Sequence, residues 1–134
     1  MIYKEVDILI TFAHNKYRII FYVDKHGYCP IQALMDQLMS KHDKESRIIL
    51  NKFNDYMQAL KQYGAINLPS NYVKHLENSI WELRPKRYRI LFSEVGTNEY
   101  VLLHCFYKTT QKTPRKELEK AYKELCDYKE RTEK

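Results

Sequence analysis

Apolar and polar positions along this chain switch between a period near two and a period near 3.6, and the switches divide it into elements. Tyr17–Tyr22 (YRIIFY) is β-branched and aromatic and stops at Asp24-Lys25-His26-Gly27, so it predicts a strand ending in a turn. Pro30 opens a helix at its favoured first position, with Ile31, Leu34, Met35 and Leu38 on one stripe. A second helix follows Asp43, an N-cap residue type, and buries Ile49, Phe53, Tyr56, Met57, Leu60 and Tyr63. Gly64 supplies a left-handed stop. Residues 65–78 read as a loop around Pro69 with a short extended piece at Tyr72–His75.

Three strand-like runs follow, Ile80–Arg84, Arg87–Val95 and Tyr100–Tyr107. Their connections, Pro85-Lys86 and Gly96–Glu99, are short enough to require antiparallel hairpins. Thr113-Pro114 then reads as N-cap and first residue of a last helix carrying Leu118, Ala121, Tyr122 and Leu125 and running out at Lys129–Lys134. In residues 1–16, Val6, Ile8, Ile10 and Phe12 alternate with Asp7, Leu9 and Thr11, which fits a strand or a loose extension equally. The expected organisation is an amino-terminal extension over 1–15 and one domain over 16–134. The order β-α-α-β-β-β-α, with a mostly antiparallel sheet and a helix pair on one face, defines the α+β class.

Strand parity sorts side chains onto two faces. Trp81, Leu83, Tyr88, Ile90, Phe92, Val101, Leu103 and Cys105 are expected against the helix pair. The opposite face then gathers Glu82, Arg84, Arg87, Arg89, His104 and Lys108, together with Leu91, Leu102 and Phe106. Three large apolar side chains on a polar face call for a cover, either the last helix or a partner. Tyr107 falls with the core set and is expected to pack.

Charge sharpens this picture. The net charge is +6, and residues 84–116 hold eight Lys/Arg against two acids, whereas the other residues balance fifteen against fifteen. A positive field focused in one window attracts a polyanion or an acidic partner. Three dispersed cysteines without CxxC spacing (Cys29, Cys105, Cys126) predict reduced thiols and neither a disulfide framework nor a zinc site. Apolar runs far shorter than about 18 residues predict no membrane span. No secretory pattern opens the chain, so a cytoplasmic protein is expected.

The cationic face suits cleavage of RNA by its own 2′-hydroxyl, which needs a base, cations on the phosphorane and an acid at the leaving oxygen. Arg89 is the first candidate for the phosphate clamp because its planar fork matches phosphate oxygens. Arg84 and Lys108 are expected to share that work, and Lys112 to bind backbone phosphate or complete the site. His104 and Glu82 are the candidate proton-transfer groups, each with a structural alternative: a hydrogen-bonded sheet histidine, and an ion pair with Arg84 or Arg89. Lys86, Arg87 and Arg115 are candidate RNA contacts. His14, His26, His42 and His75 lack metal-ligand spacing, and neither a phosphate-binding glycine loop nor a nucleophile elbow is present, so no metal or cofactor is expected.

The blocks Ile80-Trp81-Glu82-Leu83-Arg84, Tyr88-Arg89-Ile90-Leu91-Phe92, Leu102-Leu103-His104-Cys105-Phe106 and Lys108-Thr109-Thr110-Gln111-Lys112-Thr113-Pro114 resemble, in that order, the HigB-like toxins, phage-derived members of the RelE/ParE superfamily. The resemblance covers about residues 16–130. It implies a RelE-like fold and a cytoplasmic toxin of a type II toxin–antitoxin system that cleaves mRNA on the ribosome and inhibits translation without a metal. It also implies neutralisation by a helix-turn-helix antitoxin, through which alone the toxin would reach operator DNA. One departure stands out: the family usually carries two adjacent lysines where this chain has Lys108-Thr109. Two other functions stay open, a ParE-like inhibitor of gyrase and a non-catalytic toxin serving only in an antitoxin complex. An acidic or amphipathic antitoxin segment on the sheet would mask the cations and cover Leu91, Leu102 and Phe106.

Overall fold

Five strands and three helices form among residues 16–132, which are the residues that the computed structural model describes. The elements are β1 (Arg18–Phe21), α1 (Pro30–Lys41), α2 (Lys44–Tyr63), β2 (Val73–Glu77), β3 (Ile80–Leu83), β4 (Tyr88–Val95), β5 (Glu99–Tyr107) and α3 (Arg115–Thr132). The α+β class and the predicted succession hold, and the extended piece near Tyr72–His75 proves to be a full edge strand, β2. The strand-or-extension alternative for residues 1–15 lies outside the described residues.

Each helix boundary has a local cause. Pro30 sits in the first turn of α1. Asp43 caps α2, its Oδ1 accepting the Ser46 amide at 2.6 Å. Between the two helices the left-handed residue is His42, at φ 56°. Gly64 ends α2 differently from the expected left-handed turn: its φ of 81° and ψ of 157° lie in a region essentially confined to glycine. Its amide still donates to Leu60 at 3.0 Å. Tyr63, expected on the buried face, is exposed, because the apolar stripe of α2 ends at Leu60. Thr113 does not cap α3; its hydroxyl donates to Glu82, and the helix begins at Arg115.

The strand order is β1-β5-β4-β3-β2. The β2–β5 strands pair antiparallel, and β1 lies parallel to β5 at one edge. Helices α1 and α2 pack one face through Ile31, Phe53, Met57 and Leu60 against Leu83, Ile90 and Phe92. Helix α3 packs the other through Leu118, Ala121 and Leu125 against Ile80, Leu91 and Leu103. The cover for the second face is thus the chain's own last helix: Leu91 is fully buried and Phe106 packs partly beneath α3.

One bulge reassigns part of β5. Leu91 pairs with His104 and the next residue, Phe92, with Leu102, so Leu103 is an extra residue in the ladder. Strict alternation assigned Val101 and Leu103 to the helix pair and Leu102 to the opposite face. The inserted residue inverts that parity up to and including Leu103, so Leu102 joins the helix-pair core and Val101 and Leu103 join the α3 core. Beyond the bulge, Cys105 and Phe106 face as alternation predicts.

A Cβ on residue 64 would lie 2.7 Å from the Tyr17 hydroxyl, and Tyr17 is itself packed on Tyr100, with ring centroids 5.1 Å apart. Gly64→Ala is expected to cost about 1–3 kcal/mol through backbone strain and this overlap. A lower urea midpoint at unchanged slope would measure it.

Candidate RNA-binding site

The site is built around Glu82 on β3, which is 1% exposed. A carboxylate so buried needs charge partners and hydrogen bonds. Its Oε1 accepts the Thr113 hydroxyl at 2.8 Å. Its Oε2 lies 3.3 Å from Arg84 Nε and 3.7 Å from Arg89 Nε. Neither Nε–H makes a hydrogen bond to it, so Glu82 holds both guanidiniums by charge. Their outer nitrogens are fixed elsewhere. Arg89 Nη1 donates to the Lys86 and Tyr88 carbonyls, each at 2.8 Å, and Arg84 Nη1 donates to the Ser70 carbonyl at 2.8 Å. Lys86 presents its carbonyl from a turn with φ at 56°.

Arg89 forms part of the wall of a cleft of about 350 Å³ that is also lined by Arg87, Lys108, Thr109, Thr110 and Gln111. Lys74, Glu82, Lys112 and Thr113 line a second cleft of about 320 Å³ that shares Lys108 and Gln111. Lys108, partly buried and lining both clefts, has no hydrogen-bond or ion-pair partner for its ammonium among the described residues. Burial, then the charges of Arg89, Arg84 and Lys74, push its pKa below that of an ordinary lysine, with Glu82 opposing. Burial likewise lowers the Arg89 pKa, which Glu82 partly restores. Such a cleft can bind a phosphate and stabilise added negative charge on it.

Of the residues singled out in the sequence, Arg87, Arg89, Lys108, Glu82 and Lys112 converge on these two clefts. Arg84 lines neither and acts through Glu82. Arg115 is bound to Glu77 at 2.8 and 3.0 Å. His104 shares the sheet face with Arg89 but lies two positions along it, beneath α3, where its Nε2 sits 3.1 Å from Glu117 Oε2. It lines neither cleft. Two features escaped the sequence. Lys74, in the extended piece expected at Tyr72–His75 but not singled out as a site residue, sits on β2 opposite Glu82 in the ladder. Tyr107, expected to pack, is 53% exposed at the end of β5. Cys105 is an inert thiol, its pKa pushed up to about 12 by burial.

A family model described as "Phage derived protein Gp49-like (DUF891)" matches residues 37–125, a span containing every residue of both clefts. No curated protein matches the chain.

Two buried groups tie α3 to pH. Burial lowers the His104 pKa, partly offset by Glu117, so the fold favours neutral imidazole. Its contribution to stability is present above pH 6.5 and lost as pH falls toward the depressed folded value. Glu124 has the opposite sign. Burial raises its pKa from 4.5 to about 7, and its Oε1 has no partner among the described residues. Its contribution is full below pH 4.5 and lost as pH rises to about 7. Glu124→Gln is therefore expected to melt above the unmodified protein at pH values beyond 7 and close to it near pH 4.5, a difference readable by circular dichroism.

Proposed function

The chain belongs to the Gp49-like phage-derived family, a family of RelE- and HigB-like toxins, and on that footing we propose that it is the toxin of a type II toxin–antitoxin system, an endoribonuclease that cleaves mRNA on the ribosome and so inhibits translation. The observation that carries the proposal is the cleft in which Arg87, Arg89 and the unpartnered Lys108 meet.

In the reaction the 2′-hydroxyl of one nucleotide gives up its proton to solvent water and attacks its own 3′-phosphate. The bond from phosphorus to the 5′-oxygen of the next nucleotide breaks, leaving a 2′,3′-cyclic phosphate and a 5′-hydroxyl. Arg89 clamps the nonbridging oxygens, and Glu82 is its positioning residue. The position of Arg89 is set before substrate arrives, which is what makes such a charge effective in a transition state. Lys108 adds the second cation and, with its lowered pKa, is a competent proton donor to the leaving 5′-oxygen. Arg87 and Lys112 extend the binding surface along the backbone. In this scheme His104 acts at a distance, holding the first turn of α3 through Glu117. A helix-turn-helix antitoxin completes the system. Because α3 already covers the sheet, an antitoxin segment that blocks chemistry does so at the cleft mouth.

Lys108→Ala leaves no buried carboxylate unpaired, so it tests the chemistry without the fold. It is expected to lower transcript cleavage about 10²–10³-fold and to relieve growth arrest on induction, with an unchanged melting temperature. Transcripts that stay intact in cells expressing the free unmodified protein, or a Lys108→Ala variant as toxic as the parent, would overturn the assignment.

A further inference from the structure

Tyr107 and Lys108 are successive residues, and the second belongs to the phosphate cleft. Tyr107 meets the Tyr88 ring edge-on, at 5.3 Å and 81°. Arg87, a wall of the phosphate cleft, places its guanidinium 5.8 Å from the Tyr107 centroid. An aromatic ring that is half exposed and braced in this way is a prepared surface rather than a loose one.

Tyr107 also borders a separate cleft of about 380 Å³, whose walls include Tyr28, Tyr88, Phe106 and Gln37. That size lies within the roughly 300–1,000 Å³ usual for small-ligand sites. Tyr28 is 57% exposed, and its loop is pinned: Asp24 Oδ1 accepts the amides of His26 at 2.8 Å and Tyr28 at 2.9 Å. Among the described residues no carboxylate lines the cleft, and Gln37 brings an amide to it. Two exposed tyrosines, an amide and a cation on the boundary with a phosphate cleft match one ligand chemistry, a nucleobase whose own or adjacent phosphate lies at Arg89 and Lys108.

We propose that the cleft between Tyr107 and Tyr28 is a nucleobase slot, in which an unstacked base of single-stranded RNA stacks on Tyr107 while its backbone occupies the Arg87/Arg89/Lys108 cleft. This rests on the assignment of that cleft to RNA. Base–aromatic stacking is tolerant of sequence, so any preference arises at Gln37, whose amide reads a base edge through paired donor and acceptor.

The test compares a short fluorescent 2′-O-methyl oligoadenylate with its abasic counterpart of equal length and charge; neither has a 2′-hydroxyl to react. The full chain is expected to bind the base-bearing strand about tenfold more tightly. Tyr107→Ala removes that difference while leaving the affinity and salt dependence of the abasic strand unchanged, and Tyr107→Phe keeps the difference. Lys108→Ala weakens both strands alike. Tyr28→Ala, on the surface loop, reduces the difference and serves if Tyr107→Ala fails to fold. Equal binding of both strands, or an undiminished preference in Tyr107→Ala, overturns the slot and leaves the phosphate cleft standing. Binding of neither strand overturns both. A dimer in sedimentation that Tyr107→Ala dissolves would assign the cleft to a second copy of the chain and also overturn the slot.

Discussion

The buried charge of Glu82 is the constraint on which the rest of the site depends. A carboxylate at 1% exposure in a sheet is tolerable only with charges and donors gathered around it. Glu82 gathers Arg84 from just beyond its own strand, Arg89 from β4 and Thr113 from the loop before α3. Removing one partner of such a buried pair typically costs roughly 3–5 kcal/mol. The arginines are therefore held whether or not substrate is present, and the 108–114 loop is drawn against the sheet beside them.

Lys108 plays against this background. The cations of the basic window are not equivalent: Arg115 is paired with Glu77, Arg84 is bound to Ser70, and Arg89 is pinned to two carbonyls. Lys108 keeps a free ammonium, and its pKa is lowered by burial and by the neighbours that Glu82 assembles. One pinned guanidinium beside one free amine divides the labour of a phosphate site into holding and reacting.

Much of this was legible along the chain. The helix pair, with its Pro30 start and Asp43 cap, follows from local stereochemistry and an apolar stripe. The three central strands follow from short connections that permit only hairpins. The convergence of Glu82, Arg89 and Lys108 follows from parity on β3, on β4 and along the end of β5. Parity failed where the ladder carries an extra residue: the Leu103 bulge is a property of the pairing between two strands, and nothing in β5 alone announces it. Tyr107 was assigned to the core by the same alternation, but β5 ends there and leaves the ring half exposed. Lys74 was missed because its extended segment meets Glu82 only through the pairing of β2 with β3.

The sequence by itself determined the α+β class, the order of elements, the cluster of positive charge and the blocks that carry the family likeness, because each depends on residues close together in the chain. Tertiary structure alone decided that α3 covers the second face of the sheet, that His104 sits beneath it with Glu117, and that Lys108 stands unpaired between two clefts. Those outcomes depend on which distant groups meet and which are desolvated, and electrostatics at that range is set by three-dimensional packing rather than by spacing along the chain.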